Sequence, residues 1–105
     1  MTLDNEFKEL TEKLIVDTLE VYKNQERQRD QERQRDQNIK KVWKVDNMGD
    51  FSCGYFVGEI VGSALTAFQH HHKREPSKKE HIEIFALLEK HSEDISTFFM
   101  NYNSN

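Results

Sequence analysis

The sequence predicts an all-α protein: a long N-terminal helix, a polar central rod and a C-terminal helical hairpin, assembled as an oligomer. Three observations predict it. Apolar residues recur at helical spacing over 3–22, 51–71 and 77–100. A six-residue unit, QERQRD, is duplicated at 25–36 inside a stretch, 23–38, that holds no apolar residue. Hydrophobic residues make up only 35% of the 105 residues and charged residues 32%, a lean supply for a domain that must bury its own interior.

Along the first segment, at about 100° per residue, Leu3, Phe7, Leu10, Leu14, Ile15, Leu19, Val21 and Tyr22 fall within one half of the cylinder. Asp4, Glu6, Glu9, Glu12, Asp17 and Glu20 make the same segment acidic. In the rod, Glu26 meets Arg29, Arg27 meets Asp30 and Glu32 meets Arg35 at i,i+3, each pair contributing roughly 0.2–0.5 kcal/mol to a helix. A helix polar on every side is either a solvated bridge or not stable; the alternating charges favour the bridge over disorder, so the duplicated unit reads as a spacer, each copy adding about 9 Å. Residues 39–46 end that helix, and Ile39 and Trp43 return to the angular phase of Leu3, Leu14 and Val21.

Asn47–Asp50 reads as a break, with Asp50 placed to cap a helix over 51–71. That helix carries Gly54, Gly58 and Gly62 at i,i+4. Each glycine costs about 1 kcal/mol relative to alanine in a helix, so three in register imply close backbone approach, within the core or between subunits. Phe56, Leu65 and Phe68 accompany them, with Phe98 and Phe99 on the last helix, as the packing or interface set. Ser77 and Glu80 form a capping box before the helix over 77–100. A competing reading pairs two strands within 42–57 around Asp46–Asp50, giving an α+β fold; the i,i+4 glycines argue against it.

No motif for catalysis is present: no phosphate loop with its lysine, no nucleophile elbow, no zinc-protease helix. Cys53 is the single cysteine, which excludes an intrachain disulfide and fits a reducing, cytoplasmic setting, and the N-terminus lacks a secretory pattern. Residues 51–68 contain one charge, Glu59, but are too rich in glycine, serine and threonine for a strong membrane span. His70, His72 and His81 are weak metal candidates, because successive helical histidines diverge. Lys73, Arg74, Lys78 and Lys79 form a small basic patch, while the net charge of −4 disfavours nucleic acid. No cofactor is expected. The function expected is a non-enzymatic protein–protein interaction module, an adaptor, assembly factor or inhibitor, acting as a homo-oligomer with a dimer favoured. The alternatives are a small nucleic-acid regulator using 73–79 and a metal-binding protein using the histidines.

Overall fold

A computed structural model describes residues 2–25 and 29–102, and among them every regular element is a helix: α1 (Asn5–Gln25), α2 (Arg29–Trp43), α3 (Met48–His72), α4 (Lys78–Lys90) and α5 (Ser92–Tyr102). The strand pairing within 42–57 is therefore overturned: these residues end one helix and begin another. The continuity of the spacer across residues 26–28 lies outside the described residues.

Three rods make the bundle. Phe7 meets Phe68 at one end of α1 and Tyr22 meets Phe56 at the other, so α1 and α3 are antiparallel. Leu3 and Glu83 pair near the start of both α1 and α4, and Glu12 reaches Lys90 further along, so those two helices run parallel. α5 continues the direction of α4 and brings Phe99 to Phe56 and Tyr22. The interior is aromatic at its two ends and aliphatic between them, where Ile15, Leu19, Ile60, Ala64, Ile84, Leu87, Leu88 and Ile95 are buried.

The buried row of α1 is narrower than the half-cylinder expected. Leu3, Phe7, Thr11, Ile15 and Leu19 are buried at four-residue spacing, while Leu10 and Val21 are 48% and 51% exposed. An i,i+4 row meeting two neighbouring helices covers a strip, not half a circumference. Thr11 fits this strip because its hydroxyl donates to the Phe7 carbonyl at 2.9 Å.

Two boundaries differ from the sequence expectation. The cap of α3 is Asn47, whose side chain accepts from the Asp50 N–H, and Asp50 lies in the first turn. The break precedes it: Lys44 takes φ 58° and the Val45 N–H closes α2 onto the Lys40 carbonyl. The single helix expected over 77–100 is two, parted at His91, with Glu93 and Asp94 in the first turn of α5 where the helix dipole favours acids. Ile84 and Ile95, like Leu88 and Phe99, are eleven residues or three turns apart, so the apolar phase survives the break and periodicity does not register it.

The capping box is present as read. Ser77 accepts from the Glu80 N–H, and the Glu80 side chain accepts from the Ser77 N–H at 2.8 Å. Arg74 completes it with two donations to the Glu80 carboxylate, at 2.9 and 3.0 Å. Glu80 is only 1% exposed. The Arg74 hydrogen bonds, with the Ser77 donors, hold its carboxyl down to about 2, against the desolvation that pushes it up.

A pH prediction follows from the sign of that shift. A carboxyl depressed in the folded chain adds stability above its ordinary value of 4.5, and that stability is lost as pH falls toward about 2. Arg74→Met removes the main cause of the depression. Its melting temperature is expected to fall several degrees below wild type at pH 7, with the gap narrower at pH 3. A gap of equal size at both pH values, read by circular dichroism, contradicts the assignment.

Candidate functional site

α3 uses one side to build the bundle and leaves the other open. Phe56, Ile60, Ala64 and Phe68 are buried. Gly54, Gly58 and Gly62 are exposed, and a methyl group added at any of them meets nothing within 4 Å. The reading that this stripe packs inside the chain's own core is overturned: the three glycines face away from α1, α4 and α5. Beside them a shallow, wide-open groove is lined by Gly58, Glu59, Gly62, Ser63, Thr66, Ala67, His70 and His71, all residues of α3 itself. Short side chains line most of it, with Glu59 toward its N-terminal end and the imidazoles of His70 and His71 at its C-terminal end. Glu59 also accepts from the Tyr22 hydroxyl at 3.4 Å, which ties the groove's edge to α1.

The aromatic members of the expected interface set lie inside the single chain. Phe56, Phe68, Phe98 and Phe99 are between 0% and 8% exposed, and Leu65 is half-buried against them. They shape the surface from below and do not present themselves on it.

The basic residues divide. Arg74 sits 4.9 Å over the Phe68 ring and is hydrogen-bonded to Glu80, so it serves the turn between α3 and α4. Lys73 caps α3 in the left-handed region at φ 55°, and Lys78 and Lys79 are exposed at the start of α4. An arginine committed to a buried carboxylate leaves three lysines at this end, with Asp4 also present 3.4 Å from His72.

The histidines take separate places. His72 packs on Phe68 with ring centroids 4.4 Å apart, and His81 stacks on Phe85 at 5.6 Å. His70 lines the groove beside His71. Among the described residues no three His, Cys, Asp or Glu side chains converge as a metal site. His91, at the joint of α4 and α5, has Nε2 3.7 Å from a Glu12 carboxylate oxygen that also accepts from Lys90 at 2.7 Å. Burial, with the nearby Asp50 charge, pushes the Cys53 thiol up, which opposes thiolate formation.

By length and composition α3 is apolar enough to cross a membrane. In the fold its buried row packs against α1, α4 and α5.

A second surface, which the sequence does not mark as a site, lies at residues 39–46, the helix end where Ile39 and Trp43 return to the apolar phase. Val42 and Trp43 are 65% and 69% exposed on the last turn of α2, flanked by exposed Lys40, Lys41 and Lys44. None of the side chains described on α2 is buried. The signal available was the run IKKVWKV, which interleaves apolar and basic residues beyond the polar repeat.

No protein-family model, curated protein or solved structure matches the chain.

Proposed function

We propose that this chain is a non-enzymatic protein–protein interaction module, an adaptor, assembly factor or inhibitor, that works as a helical homo-oligomer, most simply a dimer. One observation carries the reading. The chain exposes 7450 Å² at a mass of 12.5 kDa, whereas a compact monomer of that mass exposes about 6,200 Å². The radius of gyration is 15.5 Å, against about 13 Å for a compact domain of this length. α2, none of whose described side chains is buried, adds polar surface to that excess.

The surplus is not evenly polar. Leu10, Val16, Val21, Val42, Trp43, Tyr55, Ile82 and Met100 are all more than 45% exposed. The open glycine face of α3 offers a partner helix a backbone it can approach closely, and the groove beside it is the surface we assign to a protein other than the chain itself.

Capture tests the assignment. Wild-type chain, tagged and incubated with extract of its host, is expected to retain a protein in stoichiometric amount. The variant carrying Gly54→Ala, Gly58→Ala and Gly62→Ala is expected to lose it. Equal retention by both chains contradicts a role for the face.

A further inference from the structure

We infer that the second copy docks through opposite charge, the basic end of α2 in one chain lying on the acidic outer face of α1 in the other. The inference rests on the homo-oligomer reading above and names its contact. On α1, Glu6, Glu9, Asp17 and Glu20 are exposed on the side away from the bundle, in one arc of about 140° that also holds Leu10, Val16 and Val21. Lys13 is the one cation among them and lies 3.9 Å from Asp17. On α2, Ile39, Val42 and Trp43 span an arc of about 100°, Lys40 and Lys41 follow it around the helix, and Lys44 lies just past its end.

The two faces match in kind. On α1 the carboxylates occupy the middle of the arc, with Val16 at one edge and Leu10 and Val21 at the other, and on α2 the exposed Val42 and Trp43 lie beside the ammonium groups. Neither is covered within its own chain, since Leu10, Val16, Val21, Val42 and Trp43 remain 48% to 69% exposed. Both belong to the same molecule, so a two-fold axis forms the contact twice: α1 of each copy receives α2 of the other. Aliphatic and indole groups supply the burial, and the charges set orientation and exclude the mismatched pairings, α1 on α1 and α2 on α2. An anionic membrane is the weaker match for the Lys–Trp end, because the chain carries a net −4 and its acidic helix would be repelled with it.

Charge reversal tests the contact, with Trp43, the chain's single tryptophan, as reporter. One variant carries Lys40→Glu, Lys41→Glu and Lys44→Glu; the other carries Glu9→Lys, Asp17→Lys and Glu20→Lys. All six positions are exposed, so both are expected to keep wild-type helicity by circular dichroism. Each alone is expected to run as a monomer in light scattering, with Trp43 emission shifted to the red of wild type. Mixed one to one, they are expected to form a dimer with wild-type emission, because both contacts in the mixed pair regain opposite charge. For wild type, raising salt from 50 to 500 mM is expected to weaken dimerisation at least ~10-fold. Variants that remain dimeric overturn this contact and leave the homo-oligomer standing. A monomeric wild type overturns both. A blue shift of Trp43 that appears only with vesicles of anionic phospholipid assigns the α2 end to a lipid surface and overturns the contact.

Discussion

Replacing Phe56 with alanine is expected to cost about 3–5 kcal/mol, the range for deleting a buried phenyl ring. The residue is 0% exposed and sits where three helices meet. Its ring lies 5.3 Å from Tyr22 of α1 in an edge arrangement and 5.7 Å from Phe99 of α5. Such ring pairs add about 0.5–1.5 kcal/mol beyond the area they bury, and the space left behind borders residues of α1, α3 and α5 that cannot all close on it. A domain of this size has about 5–15 kcal/mol in total. A fall in melting temperature of roughly 15 °C or more is therefore expected. Tyr55, the preceding residue, is 62% exposed, and Tyr55→Ala is expected to stay within about 0.5 kcal/mol of wild type. Thermal melts of the pair check the orientation of α3: similar losses at both positions contradict it.

The glycine face yields the opposite sign. Gly54, Gly58 and Gly62 take helical backbone angles, and each has open space where a methyl group would stand. Alanine there restricts the unfolded chain and favours the helix by about 0.8–1 kcal/mol per position. The three sites have no shared partner, so the effects should add to about 2–3 kcal/mol, a rise of roughly 10 °C or more. The proposed partner contact is the use that bare backbone there would serve. The same triple variant is the one expected to lose the captured partner, so stability and function should move in opposite directions. A lower melting temperature contradicts the openness of the face.

Much of this architecture was legible in the residues, and what was not has physical reasons. Ser77 and Glu80 announced the start of α4 because a capping box is local, three residues apart and chemically specific. Arg74 was read as surface charge: its bond to Glu80 spans six residues across a turn, which no helical or strand spacing encodes. The break at His91 was invisible because eleven residues separate Ile84 from Ile95 whether or not the helix pauses between them. The glycine stripe was visible as a stripe, but a small-residue strip has the same pattern whether it faces a core or a partner. Its position at the edge of the apolar arc left both open, and the backbone placed it outside. Leu10 and Val21 satisfied the arc of α1 on paper, yet the row at 3, 7, 11, 15 and 19 is what two neighbouring helices can cover. Those two residues then became part of the candidate contact for a second copy.

The account stands on one claim: a single chain leaves more surface open than a compact monomer of its mass, and a second copy covers it. The mass of the untagged wild-type protein in solution, measured by light scattering at tens of micromolar and low salt, tests that claim most directly. The account predicts twice the chain mass of 12.5 kDa, falling toward the chain mass on dilution. The chain mass alone at every concentration contradicts it.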